Sequence, residues 1–458
     1  MMQLKNIYKL PAWIIAMLVV CFSINAQTGW EKIENGVASK VACFYNDLSD
    51  NQLYVGGTFK FANNTPQNFI TRINSSFHFD SINTTSITNV VYDIEKYNGN
   101  IYVGMATSVY PTLKYFDTIN NTWINLSDSM SVDGLTGGPV RALRQYNDKL
   151  LVGGGFLKIN NDTVFGITYW DGTKFQPFWY YTPQSGVTRF FVTDLMIYHG
   201  EVYAGGSFDI SPYGNVISLV KFDGTKWVPV GLPYLIGGSV YALQVYNDEL
   251  YVGGFFKKQQ GFAGDFIMKW DGTNWHDVGG GLNQVVKDMI VYNGSLYVSG
   301  SFTVAGGTEN AENIVRWDGS QWHKIDDSFF DWNHDIECMA VHNEYLYIAC
   351  GPTINGDTVN WIARRYIGPE ETKDIEEIIN IYPNPVTDNL TLEYNLDKAS
   401  NFKFALYDVL GNIIYQEEKP NAYGYYYYTI PTLNLANGLY IARIELNGNT
   451  MVKKIIKQ

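Results

Sequence analysis

A step of the form Leu-Tyr-Val-Gly-Gly returns along this chain, anchored at Tyr54, Tyr102, Leu151, Tyr203, Tyr251, Tyr297 and Tyr347. The spacing is about 50 residues throughout, a period that belongs to propeller blades or solenoid repeats. One unit runs over residues 240–254, a loop, and residues 266–278, and it parses into four strands. Asn247-Asp248 separates the first two, a pair whose side chains tolerate left-handed backbone. Asp271-Gly272 separates the last two, and the same pair recurs at Asp171-Gly172, Asp223-Gly224 and Asp318-Gly319. Four antiparallel strands per repeat make one blade.

The ends of the array sharpen the expectation. The seventh unit has a third strand at 361–366 and then meets Gly368-Pro369 with no fourth. Ahead of the first unit, Trp30-Glu31-Lys32-Ile33 repeats the pattern of the fourth strands at Trp227, Trp275 and Trp322. An orphan strand at one end and a missing one at the other predict a ring, whose closure removes exposed sheet edges. The expected fold is all-β: a seven-bladed β-propeller over residues 27–367, closed by an N-terminal strand.

Composition agrees. Aromatics make up 16% of the chain, with 34 Tyr and 43 Gly against 17% charged residues. That suits short strands and tight turns and is too apolar for disorder. A net charge of −13 speaks against a broad nucleic-acid surface. Lys5 and Lys9 precede an apolar run over 12–24 and the small residue Ala26, so residues 1–26 read as a removed signal peptide. No second such run follows, and the mature chain is expected to hold no stable transmembrane segment. Cys21 leaves with the signal, and three thiols form at most one bridge. Cys43–Cys338 across the closure, Cys338–Cys350 across a hairpin, and three unpaired thiols all remain open.

The repeated Leu-Tyr-Val-Gly-Gly-x-Phe and Trp-Asp-Gly-x-x-Trp segments resemble secreted bacterial propellers of the kelch and galactose-oxidase central-domain type. The likeness covers about residues 30–367 and speaks for architecture. No copper site of His and Tyr ligands with a cross-linked Cys is identifiable, so that activity is not carried over. An acidic linker over 368–378 leads to residues 379–458, whose alternating strands fit a small Ig-like β-sandwich. There Ile381-Tyr382-Pro383-Asn384-Pro385-Val386, Leu406-Tyr407-Asp408-Val409-Leu410-Gly411, Leu435-Ala436-Asn437-Gly438-Leu439-Tyr440 and Lys453-Lys454-Ile455-Ile456 occur in sequence. These residues resemble the C-terminal sorting domain of type IX secretion substrates in Bacteroidetes. The resemblance makes Pro383, Asn384, Pro385, Gly411, Gly438, Tyr440, Lys453 and Lys454 sorting-motif residues. It implies the type IX machinery as partner and a secreted or outer cell-surface location.

Chemistry is harder to place. Long, variable connections carry Trp179, Tyr180, Tyr181, Tyr234, Phe330, Trp332 and His334, candidate ligand-binding residues on a rigid scaffold. The competing reading packs these groups between blades. The third position of each innermost strand reads Cys43, Asp93, Ala142, Asp194, Ala242, Asp288 and Cys338. Asp93, Asp194 and Asp288 could hold Ca²⁺, or each could cap backbone N–H groups of a neighbouring turn. No catalytic motif occurs, and no other cofactor is indicated. The function expected is a binding module for an extracellular glycan or protein. The alternative is an extracellular carbohydrate-active hydrolase or lyase with its site at the channel mouth.

Overall fold

The computed structural model describes residues 29–106, 112–126, 130–132, 135–136, 138–159, 162–164, 166–177, 189–209, 216–231, 238–256, 265–309, 311–325, 335–368, 379–446 and 449–458. The chain divides into two compact units after Gly368. Regular structure among the described residues is β-strand throughout, and no helix there is long and apolar enough to cross a membrane.

In the first unit each repeat forms a four-stranded antiparallel sheet. The fifth repeat is representative, with strands Ser239–Tyr246, Glu249–Phe255, Ile267–Trp270 and Trp275–His276 in that spatial order. The Asn247-Asp248 turn takes φ of 49° and 62° and lets Tyr246 pair with Glu249, the two-residue left-handed geometry that suits twisted strands. The Asp-Gly connection is longer than a two-residue turn. Trp270 pairs with Trp275, and the Asp271 carboxylate accepts N–H bonds from Thr273 and Asn274. His276 and these N–H groups hold that carboxyl down at about 2.

The strand Glu31–Lys32 pairs antiparallel with Ile362–Tyr366, Glu31 opposite Arg364, and the two side chains meet at 3.2 Å. The seventh repeat's sheet thus runs Glu31–Lys32, Ile362–Tyr366, Tyr345–Ala349, Met339–His342. First strands of successive sheets pack side by side. Val41–Asp47 lies on Val91–Tyr97, then come Val140–Tyr146, Arg189–Tyr198, Ser239–Tyr246, Val286–Tyr292 and Met339–His342, and the last packs on Val41–Asp47.

Three contacts recur at these junctions. The glycine facing the next sheet leaves room for that sheet's first valine: a Cβ at Gly56, Gly104, Gly153, Gly205 or Gly253 would lie 2.4–2.7 Å from the Cγ1 of Val91, Val140, Val192, Val240 or Val286. Around each such contact the core is shared between neighbouring sheets, as where Tyr203 and Leu219 join Val240, Leu250 and Trp270. At the far end of the strands, the hydroxyls of Tyr97, Tyr146, Tyr198 and Tyr246 donate to carbonyls in the next repeat's turn, at Asp148, Gly200, Asp248 and Gly294. The connections from second to third strand are not plain loops. Among the described residues four of them fold into two-residue ladders, such as Val304–Ala305 with Thr308–Glu309, a feature the sequence pattern did not reveal.

The C-terminal unit is built on Asn389–Tyr407, a long strand with register shifts between Leu396 and Phe402. Its first half pairs with Ile379–Tyr382 and its second with Gly438–Leu446, while Ile413–Pro431 accompanies both. Asn449–Lys457 closes the other edge of Gly438–Leu446. Leu390, Leu392 and Tyr394, then Phe402, Phe404 and Leu406, alternate into one core with Ile444 and Ile455, as strand periodicity requires.

The packing at Gly153 sets a first test. Gly153→Ala would bring its methyl within 2.7 Å of Val192 Cγ1 and 3.1 Å of Leu195 Cδ1, so a stability loss of about 1–3 kcal/mol is expected. Urea unfolding followed by tryptophan fluorescence measures it. Gly29→Ala, which meets nothing within 4 Å, should leave the midpoint unchanged.

Candidate functional site

The pairing of first and second strands in repeats one to six carries a register shift at the same place each time: Val41/Cys43, Val91/Asp93, Val140/Ala142, Val192/Asp194, Val240/Ala242 and Val286/Asp288. A bulge leaves one residue out of the ladder and re-aims its side chain. The residues re-aimed are Ala42, Tyr92, Arg141, Thr193, Tyr241 and Lys287. Together with Glu337 of the seventh repeat they line one cavity of about 580 Å³, completed by Lys40, Thr58, Phe191, Ser207 and Ser239. Each of the seven repeats thus contributes a side chain to a shared mouth. The bulge also explains the second glycine of the motif: a Cβ at Gly154 or Gly254 would sit 2.0 or 2.2 Å from the carbonyl oxygen of Pro139 or Ser239.

The cavity wall combines rings and charges. The Arg141 guanidinium lies 4.1 Å from the centroid of Tyr92 and 5.5 Å from that of Phe191. Lys287 stands 5.6 Å from the Tyr241 ring and pairs with Glu337 at 3.3 Å and Asp335 at 3.6 Å. Thr193 donates to the carbonyls of Gly205 and Val240, which ties it to the wall. Sequence reading missed this layer because it took the next residue along each strand as channel-lining. The signal was present one column earlier: Ala, Tyr, Arg, Thr, Tyr, Lys and Glu vary where the flanking valine and glycine columns hardly change.

Asp93, Asp194 and Asp288 show the N–H-capping geometry. Both oxygens of each carboxylate accept backbone N–H bonds, one from the following residue and one from the next sheet. The partners are Ile94 and Leu143 for Asp93, Leu195 and Leu243 for Asp194, and Met289 and Met339 for Asp288, all at 2.6–2.8 Å. Among the described residues no three of His, Cys, Asp and Glu form a metal cluster. These acids latch neighbouring sheets together. Burial raises Asp93 to about 7 and Asp288 to about 6, against the lowering effect of those N–H groups. Burial also lifts Glu95 to about 7. Arg144, whose guanidinium is 3.5 Å from Asp194, offsets part of the rise at Asp93 and Glu95.

Cys43, Cys338 and Cys350 are buried and unpaired, and burial pushes the Cys350 thiol up to about 12. They are inert packing groups rather than nucleophiles. His276 and His323 bond the aspartates of their own turns, Asp271 and Asp318, at 2.6 Å. The candidate ligand-binding residues Trp179, Tyr180, Tyr181, Tyr234, Phe330, Trp332 and His334 lie outside the described residues.

In the C-terminal unit the separate motifs meet. Asn384, between Pro383 and Pro385, donates to the Lys454 carbonyl at 2.7 Å and accepts the Ile456 N–H at 2.9 Å. Val386 continues the contact by donating to the Ile456 carbonyl at 2.7 Å. Lys453 reaches the Ile381 carbonyl at 3.3 Å. Gly411, at φ 85°, ends a turn held by Asp408, and Tyr440, two residues after Gly438, bonds the Ala436 carbonyl. Residues 380–458 match the family model of the secretion system C-terminal sorting domain.

The chain carries a type IX sorting tail. That tail addresses the protein to the type IX secretion machinery, and the protein is secreted or held at the outer cell surface. No curated protein matches the chain. One solved structure that aligns is a glycoside hydrolase family 43 arabinoxylan arabinofuranohydrolase from Bacillus subtilis in complex with cellotetraose. The identity is 11%, the alignment covers 93% of this chain and 95% of that one, and the TM-score of 0.24 gives it no weight for fold or function.

Two outcomes follow for the latches and the tail. The native protein holds protons on Asp93 up to about pH 7, whereas an unfolded aspartate releases them near pH 3.9. Stability from this group is therefore present below about pH 4 and is lost as pH rises through 7. Asp93→Asn should reduce the stability decline between pH 4 and pH 8 by about 1–2 kcal/mol, read from urea midpoints across that range. Asn384→Ala removes both bonds to the terminal strand, at a cost of about 1–3 kcal/mol. Hydrogen–deuterium exchange on the full chain should then rise over residues 449–457 and stay constant in the first unit.

Proposed function

We propose that this protein is an exported binding module that holds an extracellular glycan in the mouth cavity of a seven-bladed, kelch-like propeller. In this reading residues 1–26 are the removed signal, residues 27–367 the propeller, 368–378 a linker, and 379–458 an Ig-like sandwich that directs export. The pairing of Glu31–Lys32 with Ile362–Tyr366 and the cyclic packing of first strands support closure and blade number.

The observation that carries the binding reading is the cavity of about 580 Å³, lined by side chains from all seven repeats, six of them re-aimed by bulges. Its volume falls within the range of about 300–1,000 Å³ typical of ligand sites. Tyr92, Phe191 and Tyr241 offer ring faces on which a sugar can stack, with hydroxyls of Thr58, Thr193, Ser207 and Ser239 around them. Sugar rings present an apolar face and a polar edge, and such a wall is complementary to both. One carboxylate, Glu337, is part of the described lining, and Lys287 engages it. A glycoside-cleaving site needs a pair of free acids about 5–10 Å apart.

A glycan array probed with the mature chain tests the proposal. Saturable binding is expected, weakened about tenfold or more by Tyr92→Ala or Tyr241→Ala, as for truncation of a central aromatic anchor. Absence of binding to any glycan would refute it and favour a protein partner. Shortening of a bound polysaccharide over time would move the reading to a hydrolase or lyase.

A further inference from the structure

Resting on the glycan reading, we infer that the mouth cavity selects a negatively charged sugar, its carboxylate or sulfate seated on Arg141 beside Tyr92. The argument begins with charge. The chain as a whole carries −13, yet the described cavity wall gathers Lys40, Arg141 and Lys287 against one carboxylate, that of Glu337. Lys287 is already shared between Glu337 and Asp335. Lys40 and Arg141 have no carboxylate partner among the described residues, so the excess of positive charge lies on these two.

Arg141 is also the most constrained of the three. Rings at 4.1 Å and 5.5 Å, from Tyr92 and Phe191, hold its guanidinium plane. Its Nε is buried and has no hydrogen-bond partner among the described residues. A buried donor without an acceptor costs about 1–3 kcal/mol, and native structures rarely leave one unless a ligand or water completes it. Arg141 lines the cavity, and the two Nη groups at the end of its guanidinium form a fork of N–H bonds that matches the two oxygens of a carboxylate or sulfate. A neutral sugar hydroxyl uses one bond of that fork and brings no charge. The adjoining Tyr92 ring places a stacking surface beside the fork, so one pyranose can meet both. The Arg141 position arises from the bulge at Val140/Ala142, which puts the cation at the mouth rather than in the sheet.

Isothermal titration of the mature chain decides this with four probes: oligogalacturonate, its methyl ester, dextran sulfate and dextran. Expected is at least tenfold tighter binding of oligogalacturonate than of its ester, or of dextran sulfate than of dextran, with affinity falling as salt rises. The pair that shows the difference identifies the anion as carboxylate or sulfate. Arg141→Lys keeps the charge but loses the fork and should weaken the acidic probe about tenfold, and Arg141→Gln more. Lys40→Gln, at an exposed rim position, should weaken it about threefold at low salt, and serves if the Arg141 variants fail to fold. Lys174→Gln, on a remote exposed turn, should change nothing. Equal affinity for charged and neutral probes, or indifference to both Arg141 and Lys40 substitutions, would overturn the inference while leaving glycan binding intact. Binding of none of these probes, together with an empty glycan array, would overturn the glycan reading itself.

Discussion

The contact on which the first unit depends is the fit of a valine over a glycine between neighbouring sheets. A sheet of four short strands is marginal alone, because it has two faces to cover and two edges to protect. Stacking the faces solves the first problem, provided the innermost strands approach closely. Gly56, Gly104, Gly153, Gly205 and Gly253 supply that approach, since any Cβ there would overlap the valine of the next sheet. Ser299 and Ala349, which follow the same Tyr-Val or Tyr-Ile step, are fully buried small residues in the equivalent places. The repeat therefore holds its most constrained column where steric room is least.

Around that apolar contact the polar groups do directional work. The aspartates of the first strands bridge backbone N–H groups of adjacent sheets, and the tyrosines at the opposite strand ends reach turn carbonyls of the next repeat. Apolar packing fixes distance but tolerates sliding, whereas these bonds fix register between neighbouring sheets. The acids serve this role at an electrostatic cost, visible in carboxyls that burial holds partly protonated near neutral pH. A cation among them would compete with the N–H bonds that the sheets already share.

The bulge couples stability to binding. It brings the second glycine against the carbonyl of its partner strand and at the same step turns one side chain out of each ladder into the mouth. That side chain makes no repeated contact with the scaffold, so its chemistry is free to differ between repeats. Ala42, Tyr92, Arg141, Thr193, Tyr241, Lys287 and Glu337 show that freedom within one chain. The sorting tail follows a different logic. Its motifs are distant in sequence but close in space, with Asn384 joined to the strand that holds Lys454 and Ile456.

The sequence by itself determined the strand content, the repeat and its turns, the pairing of Glu31–Lys32 with Ile362–Tyr366, and the export tail. These rest on local periodicity, on Asn-Asp turns that demand positive φ, and on motifs readable in order. It also held both fates of Asp93, Asp194 and Asp288 open. Tertiary structure alone decided that they latch sheets, that the three thiols stay unpaired, and that the layer before them forms the cavity. The reason is physical: a bulge shifts side-chain direction by one residue, and period-two alternation cannot register a shift that depends on how a neighbouring strand pairs.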